Sequence, residues 1–228
     1  MLFHFDDRVR SVGVEGAYSI VQGIDLKNCR RDLIEAYVSK AEKECLFKAN
    51  KDYIDSDAVL AGFRELHTKV GMSNRKFISS PESLFLLLQR RGHIPRINPL
   101  VDIYNAVSIS TSLALGAHDI DRIDGDVSLR ITDGTERFTP LGSIQPEPVR
   151  PGEYGYIDSS NEIICRLEVR QVEKTKVTEG TKNYFIIVQG NSNTPRKMIL
   201  DANELLLEQI KKFLGGDTET IYEPKNSQ

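Results

Sequence analysis

Nine consecutive residues decide how the first half of this chain folds: Ile97-Asn98-Pro99-Leu100-Val101-Asp102-Ile103-Tyr104-Asn105. Asparagine is a favoured helix cap and proline is tolerated at the first helical position, so Asn98 and Pro99 predict a helix that runs towards Leu113. A helix that only buries one face does not need three polar residues so close together as Asn98, Asp102 and Asn105. The stretch therefore predicts a helix with polar groups that packing alone does not explain.

Three further helices are predicted before this one. Apolar residues recur at helical spacing over residues 30–48, and again after a cap at Ser56 or Asp57 as far as Gly71. Ser80-Pro81-Glu82 opens the next helix, which ends at Gly92. Helices therefore dominate the N-terminal half.

Strands dominate the second half. Within residues 127–138, apolar and polar residues alternate on both sides of a turn at 133–134, and this pattern predicts a hairpin. Residues 162–172 are predicted as one strand, and the apolar run 184–188 as a strand central in a sheet. A last helix is predicted from Asp201, followed by a polar, disordered tail over 217–228. Because helices and strands segregate, the fold class is α+β, with a single domain over 1–216.

The composition excludes several classes of protein. The 228 residues carry a formal net charge of -3, which argues against coating nucleic acid through bulk charge, and no DNA partner is expected. Neither a membrane span nor a signal peptide is predicted, so no membrane partner is expected. Cys29, Cys45 and Cys165 are widely spaced and form no Cys-x-x-Cys pair, which favours the reducing cytoplasm.

No metal or cofactor is expected from the motifs. The acidic run 119–126 invites a calcium loop, but Ile123 occupies the third ligand position and Arg130 stands where the bidentate glutamate belongs. The four histidines have no ligand spacing, and only His118, beside flanking carboxylates, is kept as a candidate. The chain also has no Gly-rich phosphate loop.

Two groups of basic residues allow two interpretations. The first holds Arg166, Arg170 and Lys174 around Glu173, and the second, beyond the third helix, includes Arg96. The commoner case is an exposed face with paired charges. The functional interpretation is a set of phosphate contacts beside a polar pocket, and either group alone is weak support for it.

The opening stretch also resembles a block of one protein family. It is similar to the Ile-Asn-x-x-Val-Asp-Ile-x-Asn block of the B-three/B-four editing domain of bacterial phenylalanyl-tRNA synthetase beta chains. Residues 119–125 resemble the Asp-x-Asp-Arg-Ile-x-Gly that follows there. Residues 173–177 match Glu-x-x-x-Val, and residues 181–183 match Thr-x-Asn. The resemblance runs in order from Gly92 to Gly190.

The resemblance implies a fold and an activity. The family fold is a three-layer α+β domain with a β-sandwich of unusual topology, and the module hydrolyses the ester of mischarged tyrosyl-tRNA(Phe). For this chain it implies a freestanding tRNA-binding module that acts as a trans-editing aminoacyl-tRNA deacylase. The expected partners are the acceptor end of tRNA and an aminoacyl ester or amino acid. A complete phenylalanine-tRNA ligase is not expected.

Site residues follow from the same resemblance. Glu173 matches a pocket glutamate and would orient the water, and Asn98 lies in a motif that lines the pocket. Three threonine hydroxyls would hold the substrate or assist the water: Thr175, Thr178 and Thr181. Four cations would contact the phosphates at the acceptor end of the tRNA: Arg166, Arg170, Lys174 and Arg96.

One departure leaves the activity open. The family histidine is replaced by Gly116, and the nearest histidine, His118, is two residues on. A shift of two keeps the same face of a strand, whereas in a turn it need not. The alternative is therefore a non-catalytic module that binds RNA or an amino acid in a vestigial pocket, and a third interpretation is a protein-interaction domain.

Overall fold

A computed structural model describes residues 1–225, and these contain seven α-helices and nine β-strands. None of these helices is both long and apolar enough to cross a membrane. The helices are α1 Asp7–Val12, α2 Arg31–Cys45, α3 Lys51–Ser56, α4 Ala58–Lys69, α5 Ser80–Arg91, α6 Pro99–Thr111 and α7 Arg196–Leu214. The strands are β1 Phe3–Phe5, β2 Val14–Gln22, β3 Ala114–Asp119, β4 Val127–Ile131, β5 Tyr154–Asp158, β6 Ile163–Arg166, β7 Arg170–Gln171, β8 Tyr184–Asn191 and β9 Asp217–Tyr222.

The strands form two sheets. The first has the order β1-β4-β5-β6-β7, in which β1 pairs parallel with β4 and the other pairs are antiparallel. The second has the order β3-β8-β2-β9 and is antiparallel throughout. Strand β8, predicted as central from its apolar run, lies between β3 and β2, so that prediction is confirmed.

Two neighbouring residues of β2 show that the molecule has three layers. The Tyr18 hydroxyl lies 3.2 Å from the Tyr156 hydroxyl of the first sheet. The next residue, Ser19, donates a hydrogen bond to Asn203 Oδ1 of α7 at 3.0 Å. Because successive side chains of a strand point to opposite faces, the second sheet lies between the first sheet and α7. The α+β class, with most helices in the N-terminal half, is confirmed.

Local capping signals explain where two of the predicted helices begin. Asn98 Oδ1 accepts a hydrogen bond from the Val101 amide at 3.0 Å and opens α6. Asp57 caps α4 in the same way through the Leu60 amide at 2.9 Å. The start predicted for the last helix at Asp201 is wrong, since α7 begins at Arg196. Ile199, which is fully buried, extends its apolar face by one turn.

The predicted hairpin over 127–138 is wrong. Strand β4 pairs with β1 and β5, and Arg137 makes only an isolated bridge with Glu162. The Asp133–Gly134 turn does form, because the Glu136 carboxylate accepts both of its amides at 3.0 Å. After this turn the chain leaves the sheet instead of returning along β4.

The single strand predicted over 162–172 is also wrong. The chain reverses between β6 and β7, and Arg166 and Arg170 become register partners. Leu167 adopts φ of 56°, a left-handed conformation that is rare for a leucine. The side chains of residues 166–170 therefore do not alternate along one extended face.

The tail predicted to be disordered is ordered over much of its length. Residues 217–222 form β9, which pairs antiparallel with β2 along its outer edge. The Tyr222 ring stacks on Phe5 with 5.2 Å between centroids. This pairing covers an otherwise open strand edge, which local polarity does not reveal. The last part of the predicted tail, residues 226–228, lies outside the described residues.

Helix α4 packs closely against β8 at Gly62. Adding one methyl group at this position is therefore expected to lower the stability of the fold. A Cβ on Gly62 would lie 2.0 Å from Asn191 Oδ1, and Asn191 is fixed because its Nδ2 donates to the Val59 carbonyl at 2.8 Å. We expect Gly62→Ala to lower the free energy of unfolding by about 1–3 kcal/mol through overpacking. Urea denaturation followed by circular dichroism measures this, with Glu65→Ala on the exposed face of α4 as the control. An unfolding midpoint at or above that of the wild type would contradict this close packing.

Candidate functional site

A cavity of about 240 Å³ opens between α5, α6, β3 and the turn that joins β6 to β7. Part of its lining is apolar, with Leu84, Leu115 and Ile187 among the residues. Cavities of about 150 Å³ in proteins bind benzene, so this space holds a group of the size of an aromatic side chain. Polar side chains line the rest, including Asn105, His118 and Glu168.

Strand β3 brings two of the predicted residues to the cavity. Its register is regular, so Gly116 and His118 point to the same face of the strand, and both line the space together with Ala114 and Leu115. A Cβ on Gly116 would meet only Gln171 Nε2, at 3.4 Å. The glycine thus leaves room where the resemblance expects a histidine, and His118 stands on the same face.

His118 presents one unused nitrogen. Nδ1 lies 2.9 Å from Thr175 Oγ1, whereas Nε2 is buried and has no hydrogen-bond partner in the described part of the chain. Burial lowers the pKa of His118 to about 3, so the imidazole is neutral near pH 7. The Ser80 hydroxyl at the same cavity is also buried and unpartnered within residues 1–225. Such groups cost about 1–3 kcal/mol when unsatisfied, which favours a polar ligand here.

The predicted threonines divide into two groups. Thr175 contacts His118 and so supports the cavity wall. Thr181 Oγ1 donates to Asp119 Oδ2 at 2.8 Å and accepts from the Thr178 amide at 3.0 Å. Neither Thr178 nor Thr181 lines the cavity, so the structure gives them a role in holding the loop before β8.

Glu173 and Asn98 do not lie where the resemblance implies. Glu173 is half-exposed, accepts from the Gly142 amide at 3.1 Å and pairs with Lys176, whose hydrogen bond lowers the pKa of the glutamate. It does not line the cavity, and Asn98 is used as the cap of α6. The residue of the opening stretch that does line the cavity is Asn105.

Glu168 and Gln171 also line the cavity, although neither was predicted. A single strand over residues 162–172 would place Glu168 on the same face as Arg166 and Arg170. The reversal at Leu167 turns it inwards instead. A polar residue beside a left-handed leucine carries no recognisable local signal, so the sequence alone did not indicate this wall of the cavity.

The cations predicted to contact phosphate are already paired. Arg166 is only 5% exposed. Each of the four predicted cations lies within hydrogen-bond distance of at least one carboxylate. The pairs are Arg166 with Glu153, Arg170 with Glu147, Lys174 with Asp124, Asp158 and Glu162, and Arg96 with Glu35 and Glu42. The paired-charge interpretation therefore holds, and the phosphate contacts assigned to these residues are not supported.

A second groove, of about 430 Å³, lies beside the cavity and carries free positive charge. Lys76 and Arg150 line it, both exposed, and neither forms an ion pair with any carboxylate of residues 1–225. Phe77 lines this groove while its neighbour Ile78 lines the cavity. The two spaces are therefore lined by adjacent residues of the same segment.

Comparison with known proteins identifies the relatives of this chain. A family model described as the B3/4 domain matches residues 64–203, which include α5, α6, β3 and the cavity. The phenylalanine–tRNA ligase beta subunit of Mycoplasma genitalium is 32% identical over 102 residues, which is 44% of this chain and 12% of that subunit. The same subunit of Fusobacterium nucleatum is 28% identical over 117 residues, 51% of this chain and 14% of that subunit.

A solved structure has the same fold. An N-terminal fragment of the phenylalanyl-tRNA synthetase beta subunit from Pyrococcus horikoshii superimposes with a TM-score of 0.51 at 17% sequence identity, covering 95% of this chain and 50% of that fragment. The chain thus spans a small part of the curated subunits and about half of the archaeal fragment. Since the family model matches more than half of the residues, the chain belongs to the B3/4 domain family.

Proposed function

We propose that the cavity holds the aminoacyl end of a charged tRNA and that the chain hydrolyses the ester. The observation that carries this proposal is the buried, unpartnered Nε2 of His118 at an amino-acid-sized cavity in a B3/4 fold. The relatives are named as phenylalanine–tRNA ligase subunits, which act on tRNA.

The chemistry follows from the state of His118. A neutral imidazole with a lowered pKa is a weak base, so its part is to orient a water molecule rather than to take its proton. The water oxygen attacks the ester carbonyl carbon, the bond from that carbon to the ribose oxygen breaks, and the ribose oxygen takes the proton that the attacking water releases. The products are tRNA and a free amino acid. Glu173 stands outside the cavity and takes no part in this step.

The groove beside the cavity supplies the place for the RNA. A charged tRNA brings phosphates close to its aminoacyl end, and cations that are not paired with carboxylates are the groups that attract them. Lys76 and Arg150 satisfy this requirement, whereas Arg166 and Arg170 do not. We expect Lys76→Glu with Arg150→Glu to weaken tRNA binding and to reduce its dependence on salt concentration.

The assay that tests this function follows the release of labelled amino acid from a panel of aminoacyl-tRNAs that includes tyrosyl-tRNA(Phe). We expect His118→Ala to lower the rate by about 100-fold through loss of water positioning. Glu173→Ala is the matched control and should leave the rate unchanged. Because the pKa of His118 is about 3, its titration should give no inflection in the rate between pH 5 and pH 8. No release above buffer from any aminoacyl-tRNA would refute the hydrolase.

A second candidate function is binding without hydrolysis. It is favoured by one observation: the only carboxylate among the described residues that line the cavity, Glu168, has both oxygens engaged by other side chains. Saturable binding of an aminoacyl-tRNA with no release of amino acid over hours would support it. Turnover in the same sample would reject it.

A further inference from the structure

We propose that Glu168 binds the α-ammonium group of the ligand, and that the cavity therefore selects amino acids whose carboxyl group is esterified or amidated over free amino acids. This rests on the proposed function only in taking the cavity as the aminoacyl site. Hydrolysis of the ester does not by itself require an ammonium-binding residue or a preference for esters and amides over free amino acids.

The first step is that Glu168 is held rigidly at the wall. Its side chain is buried on the turn after Leu167. Oε1 lies 2.7 Å from His67 Nε2, and Oε2 accepts a hydrogen bond from the Tyr154 hydroxyl. That hydroxyl in turn accepts from Gln189 Nε2 at 3.3 Å. A carboxylate whose position is fixed by these hydrogen bonds is pre-organised for a ligand.

The second step is that the histidine bonded to Glu168 lies behind the carboxylate. His67 belongs to α4 and does not line the cavity. Burial opposes its charged form, but the attraction of Glu168 and their hydrogen bond outweigh this and raise the pKa of His67. A carboxylate has about four acceptor positions, of which two are used here, so a ligand N–H finds acceptors that remain free.

The third step concerns the other residues of the lining. Among the described residues that line the cavity, Glu168 carries the only formal charge, since His118 is neutral. An ammonium group therefore finds a charged partner, whereas a carboxylate finds none. Asn105 and Gln171 can donate to an ester carbonyl and to a carboxylate alike, so they do not discriminate between the two.

The consequence is a preference based on charge. A free amino acid brings a carboxylate that would be buried against a lining that offers it no cation, which is costly. An aminoacyl ester brings only the ammonium group. The same asymmetry favours release of the product, because hydrolysis converts the accepted ligand into the rejected one.

Isothermal titration calorimetry on the full chain tests this without any variant. The ligands are the amides of tyrosine, phenylalanine and leucine, the free amino acids, and the N-acetylated amides. We expect at least one amide to bind at least about 10-fold more tightly than both its free acid and its N-acetyl form. Equal binding of the amide and the free acid, retained binding of the N-acetyl form, or no binding of any amide at millimolar concentration would overturn the proposal.

Two variants then locate the effect. Glu168→Gln, checked for its fold by circular dichroism, should lose the preference for the amide, and Glu173→Gln should keep it. The proposal about Glu168 fails separately from the proposed function. If aminoacyl-tRNA is hydrolysed while amide and acid bind alike, only the proposal about Glu168 is wrong. If amides are selected but aminoacyl-tRNA is neither bound nor hydrolysed, only the proposed function is wrong.

Discussion

Arg166→Ala is expected to lower the free energy of unfolding by about 3–5 kcal/mol, as found when one partner of a buried ion pair is removed. Arg166 donates from Nε and Nη2 to the Glu153 carboxylate at 2.6 and 2.8 Å, and Glu153 is only 1% exposed. The truncation leaves that carboxylate buried without a partner. It also removes the guanidinium from the Phe138 ring, 5.3 Å away.

Urea denaturation measures this change, and Arg150→Ala is the matched control. Arg150 is exposed and unpaired within the described residues, so its loss should change stability by no more than about 0.5 kcal/mol. A loss below about 1 kcal/mol for Arg166→Ala would contradict the buried pair. Weaker RNA binding by Arg166→Ala would report unfolding, whereas weaker binding by the Arg150 variant would report a lost contact.

Gly116→Leu is expected to abolish ligand binding with little change in stability. The added Cβ meets only Gln171 Nε2 at 3.4 Å, so the strand accepts a side chain, but the rest of the leucine enters a cavity of about 240 Å³. A close-packed interior does not hold both that side chain and a ligand, so affinity for an aminoacyl amide should fall by about 100-fold or more. Calorimetry with L-tyrosinamide provides the measurement.

The control for this prediction is Gly116→Ala, which adds one methyl group in ordinary contact and should keep most of the affinity. Unfolding midpoints of both variants should stay near the wild-type value. Undiminished binding by Gly116→Leu would place the ligand somewhere other than the cavity, and the groove lined by Lys76 and Arg150 would be the next place to examine.

Helices and the central strand could be predicted because their signals are local. Asn98 before Pro99 opens α6 through a bond to an amide three residues away, and Asp57 opens α4 in the same way. The apolar run in β8 marks a strand with neighbours on both sides. Each of these depends on residues adjacent in sequence or spaced by a helical or strand period.

The predictions that were wrong concern features that depend on partners distant in sequence. Strand β4 pairs with β5, more than twenty residues later, rather than with the segment that follows its turn. Strand β9 is polar, and only the free edge of β2 gives it a place in a sheet. The reversal at Leu167 uses a left-handed leucine that no propensity favours.

The site was predicted in part for the same reasons. The ordered motifs indicated the region, whereas the strand that puts His118 on the face of Gly116 was not among the predicted strands. The matched motif contains both Asn98 and Asn105, and it does not indicate that Asn105 faces the cavity while Asn98 is used as the cap of α6. Whether Arg166 was free or paired depended on Glu153, which a pattern of neighbouring residues does not reveal.

The most direct test of the aminoacyl site is a crystal structure with a non-hydrolysable ligand, 3′-amino-3′-deoxyadenosine joined to tyrosine through an amide bond. We predict that the tyrosyl group occupies the cavity, with its ammonium group within hydrogen-bond distance of Glu168 and its carbonyl region facing His118 Nε2. Electron density for the tyrosyl group outside the cavity, with Glu168 and His118 contacting no part of the ligand, would contradict the account.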